Sequence, residues 1–157
     1  MGIVLKKFGD DISTDIIYPG RFMATVLPSE TPEYAFADDA ELNRKLKTGD
    51  FNRGDIILAG QNFGSGSSRE QAASTLQGHG LMIVARGFSR IFLQNAINLG
   101  LKTVDCPGIE ADEGDELEVS DLEVLNRSTG MRFPVKPLPA ARRAIVEAGG
   151  LIPYTRK

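Results

Sequence analysis

Asn62-Phe63-Gly64-Ser65-Gly66-Ser67-Ser68-Arg69-Glu70 lies between an apolar run at residues 55–59 and a helix-forming run at residues 70–77 that ends at Gly78. The first run reads as a buried strand, so the glycine-rich stretch joins a strand to a helix. Gly64 and Gly66 can take positive φ and let a ligand approach the main chain. The N–H groups that open the helix have no intrahelical partners and favour negative charge. Ser67 then sits where a deprotonated oxygen is least costly, and Arg69 offers the planar fork that matches a carboxylate. The chemistry suggested is proton abstraction beside a carboxylate. The same composition also suits a plain turn with a serine cap. A Walker-type phosphate loop is excluded, because Gly66 is followed by Ser67 and not by lysine.

Outward from this loop, residues 2–7 read as a strand, and residues 33–36 and 39–46 as short helices in a polar excursion. Strands at 55–59, 81–85 and 102–105 alternate with helices at 70–77 and 89–98, the latter closed by Gly100. That order requires right-handed crossovers and parallel pairing, with ligands bound beyond the carboxyl ends of the strands. Residues 115–119, 122–125 and 131–135 alternate apolar and polar as antiparallel strands do, and a helix follows at 140–148. The fold class expected is α/β: a mostly parallel strand-helix core with an antiparallel carboxyl-terminal strand set.

A chain of 157 residues with 41% hydrophobic content is read as one domain over residues 1–157. The amino terminus is too short and too soon polar for a secretory signal, and no apolar run reaches spanning length, so a cytoplasmic protein is expected. A formal charge of −3, with its cations scattered, gives no footprint for nucleic acid. The chain has one cysteine, Cys106, and one histidine, His79. An iron-sulfur cluster needs several thiolates, so no metal ligands are assigned to this chain.

The nonapeptide closely resembles the signature of the swivelling domain of the aconitase superfamily. The likeness extends to residues 8–22, Phe-Gly-Asp-Asp-Ile-Ser-Thr-Asp-Ile-Ile-Tyr-Pro-Gly-Arg-Phe, similar to the family's amino-terminal motif, and to its second helix at residues 88–101. The ending Ala148-Gly149-Gly150-Leu151-Ile152-Pro153-Tyr154 resembles that of 3-isopropylmalate dehydratase small subunits. The resemblance implies a three-layer β/β/α arrangement. It also implies a hydro-lyase small subunit that interconverts 3- and 2-isopropylmalate through 2-isopropylmaleate, in leucine biosynthesis.

By the same resemblance Ser67 is the general base and Asp15 the active-site aspartate. Arg69 and Arg21 bind substrate carboxylates, with Ser68, Gly64 and Gly66 assisting. The chain itself binds no cofactor; a 4Fe-4S cluster that withdraws the hydroxyl belongs to a separate large subunit, in a heterodimer or heterotetramer. The segment Phe22-Met23-Ala24-Thr25-Val26 matches the loop that sets specificity. Homoaconitase-like subunits tend to carry arginine where this chain has Ala24, and an apolar loop favours an alkyl-substituted malate over a third carboxylate. Isopropylmalate fits, and so do 2,3-dimethylmalate and 2-methylmalate. A homoaconitate-type dehydratase subunit and a non-catalytic anion- or RNA-binding module are the alternatives.

Overall fold

A computed structural model of the chain describes residues 2–24, 27, 29–66 and 69–156. Seven strands form one sheet in the order β4-β3-β2-β1-β5-β6-β7. Four of them, β1 (Gly2–Lys7), β2 (Ile56–Ala59), β3 (Met82–Ala85) and β4 (Lys102–Asp105), pair in parallel. The other three, β5 (Glu116–Val119), β6 (Glu123–Asn126) and β7 (Arg132–Pro134), pair antiparallel and join the sheet through β1.

The central strand β2 is buried on both faces, as expected where both sides are covered. One face sends Ile57, Ala59, Ile83 and Ala85 against helices α2 (Ala40–Thr48), α3 (Glu70–Gly78) and α4 (Arg90–Leu99). The alternate residues Ile56, Leu58, Val84 and Val104 meet Leu117, Val124 and Phe133 in a second core. The period of two along each strand thus feeds two separate cores. The antiparallel strands supply the second outer layer, giving the expected β/β/α arrangement. The sheet is less open than the sequence suggests: Lys136 N donates to Asp105 O at 2.8 Å and bridges the end of β7 back to β4.

Several boundaries differ by a residue or two, as helix and strand ends do. Gly78 does not close α3; the helix runs through it to His79, and Gly80 takes φ +69°. Gly78 is instead a packing position, because a Cβ there would run into the Pro32 ring. A short helix α1 (Thr14–Ile17) and a 3-10 turn (Gly20–Phe22) fill the segment after β1, another 3-10 turn spans Thr31–Tyr34, and α6 (Leu151–Thr155) follows α5 (Ala140–Glu147). All four short pieces lack the length over which periodicity can be read.

Candidate functional site

Beyond the carboxyl ends of β1 and β2, the two motif-bearing loops lie side by side. Gly64 N donates to Ile12 O at 2.7 Å, and Thr14 N to Ser65 O at 2.8 Å. Asn62 Nδ2 reaches Asp11 Oδ1 at 3.0 Å, and both residues hold positive φ, which their short polar side chains tolerate. On its other side the loop is tied to the segment before α4: Phe63 N donates to Gly87 O, and Ser89 N to Phe63 O. Ser89 Oγ donates to Gly64 O at 2.8 Å and caps α4 by accepting from Phe92 N at 3.3 Å. The glycine loop is thus laced between segments 10–14 and 87–89, extending the strand order 1-2-3 beyond the sheet.

Gly64 and Gly66 adopt φ +85° and +97°. Gly64 is pressed on Phe92, whereas Gly66 is exposed, and a Cβ there would meet Thr14 and Ser13 only at ordinary contact distance. After them α3 starts at Glu70, with Arg69 as its cap residue, and no side chain of Arg69 caps the first turn. Ser67 and Ser68 lie outside the described residues, between Gly66 and this helix start.

Asp15 and Arg69 meet directly. Asp15 stands in α1, whose cap is Ser13 rather than Asp15 itself. Its Oδ1 accepts from Arg69 Nη1 at 2.8 Å and from Gly20 N at 2.8 Å. Those two donors, Arg69 first, hold the Asp15 carboxyl below its ordinary range. Arg69 Nη1 also reaches Tyr18 O at 3.3 Å, while its Nε is buried with no hydrogen-bond partner among the described residues. A buried guanidinium donor without an acceptor is a place for a ligand oxygen.

Arg21 makes no hydrogen bond to Asp15 or Arg69 among the described residues, although its charge also helps to lower the Asp15 carboxyl. It pairs through both ends with Asp38, Nη1 to Oδ2 at 3.2 Å and Nη2 to Oδ1 at 2.5 Å, and its guanidinium lies 4.6 Å from the Phe22 ring centre. Arg21 in turn holds the Asp38 carboxyl down. Asp38 carried no signal in the sequence, since it sits in a polar stretch without a motif; Ser89 was legible only as a helix start.

Phe22 stacks on Tyr34 at 4.2 Å, and Gln71 Nε2 ties α3 to Met23 O at 3.2 Å. Met23 and Ala24 are exposed, as is Leu27 beyond them. Thr25 and Val26 lie outside the described residues.

The sequence profile of the aconitase C-terminal domain family matches residues 2–108. The chain belongs to that family. It is 43% identical over 155 residues to the 3-isopropylmalate dehydratase small subunit of Methanosarcina mazei, covering 96% of this chain and 93% of the relative. It is 42% identical over 157 residues to the isopropylmalate/citramalate isomerase small subunit of Methanocaldococcus jannaschii, covering 96% and 90%. The crystal structure of 3-isopropylmalate dehydratase from the latter organism superposes with a TM-score of 0.88 at 35% identity, over 99% of this chain and 92% of that one. The relatives are small subunits of a hydro-lyase, and the fold is that of the family's swivelling domain.

The donor set does not fit an iron-sulfur cluster. Among the described residues no group of three or more His, Cys, Asp or Glu is placed to hold a metal. The lone Cys106 is buried, and burial pushes its thiol up to about 11. Cluster ligation needs several accessible thiolates. Among the described residues no helix is long and apolar enough to cross a membrane.

Proposed function

We propose that residues 1–157 act as one unit, the small subunit of a cytoplasmic hydro-lyase that interconverts alkyl-substituted malates, with 3-isopropylmalate as the substrate. The observation that carries this reading is the Asp15–Arg69 pair, which fastens the amino-terminal motif to the glycine loop beyond β1 and β2. It leaves the buried Nε of Arg69 free for a ligand oxygen. Arg69 then grips a substrate carboxylate, and Asp15 is the residue that orients it. Ser67, as the base, takes the proton from the carbon beside that carboxylate. A serine hydroxyl has too high a pKa for this unaided, so the uncapped first turn of α3 and the Arg69 cation must stabilise its ionised form. Ser68 and the backbone at Gly64 and Gly66 complete the contact with substrate.

Arg21 binds the second carboxylate by exchanging Asp38 for it. The pair is solvent-exposed, and exposed ion pairs add little to stability, so the exchange is not costly. The specificity segment 22–26 supports an alkyl substituent, because Met23 and Ala24 carry no charge for a third carboxylate. Met23 and Leu27, with Ile16 and Ile91 elsewhere on the surface, are large apolar side chains left exposed. Apolar surface of this kind suits a protein partner, here an iron-sulfur large subunit that completes the site in a heterodimer or heterotetramer. The name of the Methanocaldococcus relative favours a second reading, 2-methylmalate as a further substrate.

The test is hydratase activity of this chain mixed with a cluster-reconstituted large subunit from the same genome. 2-Isopropylmaleate, dimethylmaleate, citraconate and homoaconitate are compared, with Ser67→Ala as control. Turnover of 2-isopropylmaleate that Ser67→Ala abolishes is the expected result. Preference for citraconate moves the substrate assignment, and full activity of Ser67→Ala removes the assigned base.

A further inference from the structure

A groove of about 710 Å³ runs between β4, the turn after β5, the segment 135–139 and α5. Of the described loop residues 62–66 and 69, none lines it. Its volume is that of a small-molecule site, which falls at roughly 300–1,000 Å³. It is apolar inside, where Val104, Val119, Val135, Leu138 and Val146 line it. No residue of α5 is fully buried, and its half-buried side contributes to the groove wall.

The rim is charged and not balanced. Lys102, Lys136, Arg142 and Arg143 stand against Asp105, Asp121 and Glu147, four cations to three acids, in a chain whose formal charge is −3. Asp121 is taken by Arg143 at 3.9 Å, and Asp105 lies in the field of Lys136. Lys102 and Arg142 have no ion pair among the described residues. The wall also contains Thr103, whose Oγ1 is buried with no hydrogen-bond partner among the described residues. A buried hydroxyl without a partner is unusual in a finished core.

We propose that this groove binds a small monocarboxylate with a branched alkyl body, the alkyl part on the valine floor and the carboxylate at Arg142 and Lys102. An arginine fork matches a carboxylate in geometry as well as charge, while the floor excludes a ligand that is polar throughout. A long peptide is disfavoured because Lys136 already bridges the end of β4 at Asp105, which closes the groove at that point. Phe88, which lines the groove, also packs edge-on against Phe63 of the glycine loop at 6.1 Å. An occupant therefore touches a residue that shapes the candidate active site, and the assignment does not depend on which reaction that site performs.

The experiment is a titration of the full chain with 4-methylpentanoate, followed by backbone amide NMR shifts, with acetate and inorganic phosphate as parallel probes. Saturable shifts at Val104, Val119 and Val135 are expected with 4-methylpentanoate, and affinity at least about tenfold weaker with acetate, which lacks the alkyl body. Arg142→Ala should weaken binding by about tenfold through loss of a charge-assisted contact, and Val119→Trp should abolish it by filling the floor. Arg142 and Lys102 are both exposed, so Arg142→Ala and Lys102→Ala provide the test even where Val119→Trp fails to fold. No saturable shift at the groove, equal affinity for acetate or phosphate, or affinity unchanged in both cation variants overturns the proposal.

Discussion

A single carboxylate oxygen, Asp15 Oδ1, accepts from both Arg69 Nη1 and Gly20 N at 2.8 Å, and so joins two motifs 54 residues apart in sequence. The same contact fixes the turn that presents Arg21 and the guanidinium at the head of α3. In the proposed site Asp15 is therefore a positioning residue, which holds Arg69 through this hydrogen bond.

Replacing Asp15 by alanine should lower kcat/KM by about a hundredfold, the scale of a misplacement near 1 Å, with little change in global unfolding. Asp15→Asn keeps an acceptor for Gly20 N and should fall between the two. Steady-state kinetics of the reconstituted enzyme, with unfolding curves of both variants, decide it. Equal losses of stability and activity would instead make the pair a structural brace.

The left-handed glycines should not be equivalent. A Cβ at Gly64 falls 2.7 Å from Phe92 Cδ1 and closer still to its Cγ and Cβ, in addition to the strain of positive φ. Gly64→Ala should cost about 2–5 kcal/mol from backbone strain plus overpacking. At Gly66 the nearest atom is 3.6 Å away, so Gly66→Ala should cost only about 1–2 kcal/mol from φ. Denaturant midpoints of the two variants test the order.

His79 gives a defined pH dependence. Burial pushes it down from 6.5, opposed by its contact with Pro32 O at 2.7 Å. A base whose folded pKa is depressed contributes its stability above the unfolded value of 6.5 and loses it as pH falls through the folded value. Unfolding free energy should therefore decline from pH 6.5 downward, and His79→Gln should flatten that part of the curve. A ring titration midpoint above 6.5 by NMR would contradict this.

Cys106 should be inert in the folded chain. With its thiol pushed up to about 11 and its Sγ directed to Pro134 O at 3.4 Å, almost no thiolate exists near neutrality. Alkylation by iodoacetamide should proceed at the rate of unfolding, and become fast in denaturant. Rapid labelling of the native protein would show the site to be open.

The strand-helix alternation, the turn at residues 62–66 and the helix closed at Gly100 were all legible in the sequence, because each rests on local periodicity or on a glycine that a turn demands. What the sequence could not give is contact between distant segments. That Arg69 meets Asp15 while Arg21 turns to Asp38 depends on two loops lying beside each other across β1 and β2, and no spacing encodes that. Gly78 reads as a helix stop and is in fact a seat for Pro32, a role visible only once residue 32 has been folded against α3. The curl that brings β7 back to β4 likewise follows from packing two faces of short strands at once, and local sequence fixes only which residues alternate.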